Sequence, residues 1–558
     1  MSKKLKPVFG LVLFVFLFFI SCTSSPREEF TPLDYTEEDV ITNEISNIEK
    51  MLESESTKAL WRATLLKNNV GNTENTAVNT IVELCGQKVI KQYYEAFRLE
   101  NNLEAKRLLS SLEAVNYPLD ELLTAQKTEL ENKITSATPG FAIQQDASHS
   151  VSDYISGTVT IWVDLGIHVS KGLGYANRAI GSGFFIDRSG YIVTNYHVIQ
   201  SEVDPEYEGY SRLYIKLSSD PETRIPARVV GWDPLLDLAL LKTEIDAPYV
   251  FPLGSSIELD VGEKIYAIGA PAGLDWTITS GIVSAKGRRL LTMGPVMQID
   301  AAINAGNSGG PILDENGNVE AIAFAGVLEH QGLNFAIPIE YLKAQLSILA
   351  AGGLREHGWI GAYGKDNPVN EFSTSPRGLL VHYMMPGGSA ARSGLNQGDV
   401  ITAINGISIA GIDDFHNILK SLLPETIVKL SVYSPQSENV GSGVEKILSV
   451  YLEKRPEQPG YEIYQRDVIS NAMLPILGME LIPASDKNNK KYTVTTVLPG
   501  ESADESGFSV HDPVDIVKIE VPKTKDVLYA QLYTKKRKNG YFEVSIVVGA
   551  PLDSPYYF

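Results

Sequence analysis

Residues 301–311 read AAINAGNSGGP, one serine among three glycines closed by a proline. Glycine adds nothing to a core, but it permits backbone angles other residues resist and lets another molecule approach the main chain. A surface turn would use Gly306, Gly309 and Gly310 in this way, and so would a site where Ser308 reacts. A serine hydroxyl is a weak nucleophile until a base takes its proton and a third group orients that base. The reading of the chain therefore turns on whether other segments supply those partners.

The sequence holds eight histidines. None forms an HxxxH or Cys/His cluster, so no protein-ligated metal site is expected. His197 stands out, at the end of YIVTNYH, reached from GSGFFID through a turn at Arg188 to Gly190. Two acids compete as its partner in GWDPLLDLALLK. Asp233 precedes Pro234 in an expected turn, where an aspartate caps its own backbone. Asp237 lies among leucines on an expected buried strand, where a lone charge is costly unless a donor holds it. Asp237 is the better candidate. The N–H groups of Gly306 and Ser308 can both face one small pocket if the turn is tight, and one such donor gives roughly 3 kcal/mol of transition-state stabilisation.

Residues 150–350 show short β-branched and apolar runs between glycines, as in a β-barrel or sandwich. Through GSGFFID, GYIVTNYHVI, DLALLK, AIGAPAGLDWTITSGIVSA, QIDAAINAGNSGGPI and GLNFAIP, this region resembles the trypsin-like serine proteases, and more closely the Deg/HtrA proteases of bacterial envelopes. The resemblance implies two packed six-stranded barrels with a triad in the cleft: His197 as general base, Asp237 as its orienter, Ser308 as nucleophile. It also implies an endopeptidase that needs no cofactor, acts on unfolded or misfolded envelope proteins or peptides, and assembles as a homo-trimer or larger. The alternative is a catalytically silent, PDZ-bearing chaperone or adaptor on the same fold. All three chemical roles are filled, which favours the enzyme.

Digestive relatives carry an aspartate before the serine, which pairs with a newly cut N-terminus. Asn307 has no charge to offer, so activation by cutting a precursor is not expected, and loop ordering or ligand binding would set activity instead. Ala302 stands six residues before Ser308, where trypsin carries an aspartate. With Asn304 it would line a specificity pocket suited to small or aliphatic side chains.

Downstream, Pro386, Gly387, Ser389, Ala390, Ser393 and Gly394 recur as Pro499, Gly500, Ser502, Ala503, Ser506 and Gly507, at a constant offset of 113. Two copies of one module explain this. Both resemble PDZ domains of α+β type, which these proteases carry at the C-terminal end. The first spans 357–453, and Ile360, Gly361 and Ala362 in GWIGAYG match the loop whose N–H groups hold a peptide's terminal carboxylate while the peptide adds as a strand. The second, 472–553, is degenerate: HDPVDIVKIEV places Pro513 where the first copy has QGDVITAING, which puts its peptide binding in doubt and makes a packing role as plausible.

The N-terminal quarter has another texture. Lys3, Lys4 and Lys6 precede an apolar run from Val8 to Ile20, then Ser21 and Cys22, the layout of a secretory signal over residues 1–22. Its end resembles a bacterial lipobox, which implies lipidation of Cys22 and tethering to a membrane facing the periplasm. Residues 23–37 read as a tether, 38–133 as an all-helical domain with a tetratricopeptide-like pair in YYEAFRLENNLEAKRLLSSLEA, and 134–149, with TSATPG, as a linker. The formal charge of −20 argues against nucleic acid as a partner.

Overall fold

The computed structural model describes residues 38–70, 75–140, 151–270, 276–304, 306–326, 333–369, 375–435, 443–484, 491–537 and 541–558. The signal, Cys22 and the tether lie outside the described residues.

Five helices come first: Glu38–Met51, Ser56–Val70, Thr76–Arg98, Asn102–Ala114 and Glu121–Ala137. Asn75, Asn101 and Asp120 start the last three, each side chain accepting the N–H three residues on and so satisfying a donor the helix cannot pair itself. Their shared core holds Leu60, Trp61, Cys85, Val89 and Tyr93. Burial pushes the Cys85 thiol up to about 12, which leaves it an inert apolar residue. The expected linker from 134 begins too early. Thr138 donates its hydroxyl to the carbonyl of Ile134 at 2.8 Å and its N–H to Thr135 at 3.1 Å, so helix continues through Ala137.

Two barrels follow. In the first, β1 (Thr158–Ser170), β2 (Leu173–Phe185), β3 (Tyr191–Thr194), β4 (Arg212–Leu217), β5 (Asp220–Asp233) and β6 (Leu238–Thr243) run in the order β5-β4-β1-β2-β3-β6, and β5 pairs with β6 to close the ring. In the second, β7 (Lys264–Gly269), β8 (Thr277–Leu291), β9 (Gly294–Ile299), β10 (Pro311–Leu313), β11 (Val319–Gly326) and β12 (Asn334–Pro338) close in the order β10-β11-β12-β9-β8-β7. Closure removes the exposed strand edges that would otherwise invite pairing with other chains.

Two small α+β modules complete the chain. The first has a sheet ordered Ala362–Asp366, Leu379–Met384, Val400–Ile404, Ile427–Pro435, Gly443–Tyr451, with helix Ile412–Leu419 packed on it. The second has five strands between Met479 and Pro551. It begins upstream of the expected residue 472, because helices Pro459–Arg466 and Ile469–Leu477 bury Ile463, Met473 and Leu477 in the same core as Met479, Val494 and Leu528. Pro513 opens the strand Pro513–Glu520, a position where the missing N–H does least harm to a ladder.

The helical domain is docked on the first of these modules. Trp61, 1% exposed, stacks on Tyr451 at 5.7 Å and donates its indole N–H to the carbonyl of Ser449 at 2.9 Å. The hydroxyl of Ser111 accepts the N–H of Ile427 at 3.1 Å, and that of Ser449 reaches the carbonyl of Ala114 at 3.0 Å. Trp61→Ala should therefore destabilise this junction by about 3–5 kcal/mol. Limited proteolysis should then release a fragment near residues 38–137, and an unchanged digestion pattern would remove Trp61 from this role.

Candidate active site

β2 and β3 bring GSGFFID and YIVT together, and the chain turns from β3 into helix Tyr196–Val203 at Asn195. His197 is the second residue of that helix, with its ring half exposed. Its Nδ1 lies 2.7 Å from Asp237 Oδ2, and its backbone N–H donates to Asp237 Oδ1 at 2.8 Å. Both carboxylate oxygens thus engage one residue. Asp237 is not on a strand, as expected, but in the turn before β6, with φ +52°. The flanking leucines are buried all the same, which is what made the segment read as a strand. The side-chain N–H of Asn195 donates to the carbonyl of Asp237 at 2.9 Å and holds this left-handed turn.

The rival acid is used elsewhere. Asp233 Oδ1 accepts the N–H groups of Leu235 and Leu236 at 2.9 and 3.2 Å, and Oδ2 lies 2.9 Å from His357 Nε2. Burial works against its charge, but His357 and Arg355 outweigh burial and hold the carboxyl below the usual range.

Ser308 sits in the turn before β10. Its hydroxyl donates to the carbonyl of Phe324 at 3.2 Å; among the described residues no hydrogen bond joins it to His197. Gly306 has φ +105° and Gly309 φ +87°. A Cβ on Gly309 would lie 2.3 Å from both the carbonyl oxygen of Ser182 and the hydroxyl of Thr194, and one on Gly310 2.2 Å from the carbonyl of Ile268. These glycines are required by close packing of the turn against both barrels. The turn also passes close to the His197 helix: a Cβ on Gly181 would lie 2.6 Å from Val198 and 3.1 Å from the carbonyl of Ser308. Asn307 is buried before the serine, and its N–H donates to the carbonyl of Asn304 at 2.9 Å. Ala302 and Asn304 are exposed, and the carbonyl of Ala302 accepts the hydroxyl of Thr279 on β8 at 3.0 Å.

Sequence reasoning missed Ser182. This fully buried residue donates its N–H to the carbonyl of Ser308 at 2.8 Å and its hydroxyl to the carbonyl of Gly306 at 2.6 Å, while the hydroxyl accepts the N–H of Ala270 at 3.0 Å. A serine between two glycines inside an apolar strand was the available signal.

At the first α+β module, Ile360 and Ala362 are buried and Gly361 has φ +79°. The strand beside them is already paired, with residues 556–558 of this chain: Ala362 N–H donates to Phe558 and Phe558 N–H to Ala362, both at 3.0 Å, and Gly364 N–H to Tyr556 at 3.1 Å.

A trypsin-like peptidase domain matches residues 181–322, a PDZ domain 380–432, a TP0546 family PDZ domain 460–552, and a domain of unknown function (DUF8517) 39–134. A probable periplasmic serine endoprotease DegP-like of Bartonella henselae is 34% identical over 366 residues, 62% of this chain and 68% of that protein. The chain belongs to the DegP-like serine endoproteases. The Pseudomonas fulva member is 36% identical over 51% of this chain, and a putative serine protease HhoA of Synechocystis 40% identical over 41%. The chain spans 58% and 61% of the length of these two relatives. A solved structure titled "HtrA-type protease AlgW with decapeptide" is 27% identical, with a TM-score of 0.44 over 55% of this chain and 99% of that one. The trypsin-like double barrel and the PDZ domains are the modules these matches cover, and the N-terminal helical region is matched separately by DUF8517.

Replacing Ser182 by Ala strands a buried N–H and a buried carbonyl. Ser182→Ala should lower stability in urea unfolding by about 1–3 kcal/mol, and wild-type stability would show that the hydroxyl is not needed.

Proposed function

We propose that this protein is a serine endopeptidase of the cell envelope, with Ser308 as nucleophile, His197 as general base and Asp237 as its orienter. The two-point contact between Asp237 and His197 carries the reading. It fixes the ring so that Nδ1 keeps its proton and Nε2 is free to accept one. On substrate binding the Ser308 hydroxyl exchanges the Phe324 carbonyl for Nε2; hydrogen bonds of this kind are often loose before substrate arrives. Ser308 Oγ then attacks the peptide carbonyl and passes its proton to His197. The N–H groups of Gly306 and Ser308 stabilise the oxyanion, as backbone donors do in acyl transfer. His197 gives the proton to the departing amine, and water, deprotonated by the same ring, releases the acyl group from Ser308.

Ala302 and Asn304 line the pocket for the residue before the cut, which has no fixed charge at Ala302 and suits small or aliphatic side chains. Asn307 offers no carboxylate to a new N-terminus, so ordering of the Ser308 turn rather than precursor cleavage sets activity. Its relatives from Pseudomonas and Bartonella are named as periplasmic, which fits a chain delivered by its signal and lipid-anchored at Cys22. Substrates are unfolded proteins or peptides, the first PDZ domain receives peptide ends at Ile360, Gly361 and Ala362, and the assembly is a homo-trimer.

A fluorophosphonate probe should label the wild type and not Ser308→Ala, with casein cleavage lost in parallel. Undiminished cleavage by Ser308→Ala would end the assignment. Asp237→Asn should keep the fold by circular dichroism but lose roughly four orders of magnitude in kcat, because the ring takes the wrong tautomer. A loss of only a few-fold would mean that Asp237 does not orient the base.

A further inference from the structure

The strand Ala362–Asp366 is the edge of its sheet, the side on which a peptide would add. Residues 554–558, SPYYF, fill that edge. Tyr557 pairs with Tyr363 in antiparallel register, between the Phe558–Ala362 and Gly364–Tyr556 hydrogen bonds. The Phe558 side chain, 1% exposed, meets the Phe415 ring at 5.2 Å and lies in the core with Ile360, Ala362 and Leu419. Gly364 lets both neighbours approach: a Cβ there would lie 2.2 Å from the carbonyl oxygen of Leu380 and 3.1 Å from the Phe558 ring. His416, on the helix that forms the other wall, lies with its Nε2 2.8 Å from the carbonyl of Pro555. The Tyr556 ring carries the Lys365 ammonium at 4.7 Å.

The segment is anchored at its other end. Asp553 pairs with Arg455 at 2.5 Å and accepts the Thr292 hydroxyl at 3.2 Å, while inside the segment Tyr557 donates its hydroxyl to the carbonyl of Pro475 at 2.8 Å, a contact of the docked state. Residues 554–558 therefore stay beside the groove even when undocked, at high effective concentration.

We propose that residues 554–558 are a built-in ligand of the first PDZ groove, and that an aromatic-ended peptide enters only by displacing Phe558. The inference rests on reading this groove as a peptide receptor, but not on the chemistry of Ser308. The groove's preference follows from its present occupant: an aromatic ring at the Ile360–Ala362 loop and a second one two residues earlier.

The test uses the full chain carrying Ser308→Ala, so that no peptide is cut and the result is independent of the nucleophile assignment. Binding of fluorescein-labelled Ser-Pro-Tyr-Tyr-Phe is read by fluorescence polarisation in this protein and after adding Phe558→Asp or, more mildly, Phe558→Ala. A groove closed in 90–99% of molecules weakens apparent affinity by about 10–100-fold, so either substitution should tighten binding by that factor. The same peptide ending in aspartate should not bind. Hydrogen exchange in the unsubstituted Phe558 protein supplies a second readout: the Ala362 and Gly364 amides should be protected without peptide and exchange faster once the peptide-free Phe558→Asp chain is measured. Equal affinity with and without Phe558, binding by none of the proteins, or rapid exchange at both amides when Phe558 is present would each overturn the proposal.

Discussion

The N–H and hydroxyl of Ser182 reach from the first barrel into the turn that carries Ser308, and the same hydroxyl takes a hydrogen bond from Ala270 at the end of β7. One buried side chain thereby spans the seam between two closed sheets that share no strand. Thr194, at the end of β3, donates its hydroxyl to the carbonyl of Ser182 at 2.8 Å, and Asn195 follows directly, holding Asp237. The positions of His197, Asp237 and Ser308 are thus set by one connected set of buried polar groups. Such a network rigidifies when every member is satisfied and is costly when one is lost. The glycines around it are the other half of the constraint, since a methyl at 309 or 310 would occupy the space the backbone carbonyls already fill.

How much of this was legible follows from the range of each interaction. β2, the turn at 188–190 and β3 are consecutive, so the delivery of His197 could be read from local pattern. Asp237 was picked out because a charge among leucines needs a partner, and it lies 2.7 Å from the imidazole. Its conformation was not legible, because an unbroken run of buried residues says nothing about one left-handed residue where a strand begins. Ser182 was opaque for another reason: the carbonyl it serves is 124 residues away, and only the packing of two barrels makes that distance short. The early start of the second PDZ module escaped because helices Pro459–Arg466 and Ile469–Leu477 have no counterpart in the repeat at offset 113. The docking of Trp61 on Tyr451 had no sequence signal beyond a tryptophan on a helix face.

The modules are fastened to one another by polar contacts of buried or half-buried groups rather than strung on free linkers. Asp233 in the first barrel meets His357 at the entry to the first PDZ domain, both essentially without exposure. Arg355 donates to the carbonyls of Lys420 and Leu422 at 3.1 and 2.7 Å, and Lys420 sits 3.4 Å above the Tyr341 ring. A charge buried in this way holds only while its partner stays in place, so the orientation of the PDZ domain against the barrels is specified and not merely tolerated.

β8 gives that orientation a bearing on the site. Near its start Thr279 bonds the carbonyl of Ala302, beside the Ser308 turn. Near its end Arg289 pairs with Asp413 on the helix walling the PDZ groove, at 2.8 Å, and its guanidinium lies 5.9 Å from the Tyr556 ring. A strand is stiff along its length, yet stiffness alone transmits nothing. Coupling between two sites requires an element with two discrete arrangements that both sites bias. Residues 554–558, docked or displaced, form such an element under the built-in-ligand proposal, because their release removes an aromatic neighbour from Arg289 and frees the edge of Ala362–Asp366 together. Under the two proposals together, the serine that rests on the Phe324 carbonyl and the groove that rests on Phe558 are two halves of one idle state, each held by a contact that substrate replaces.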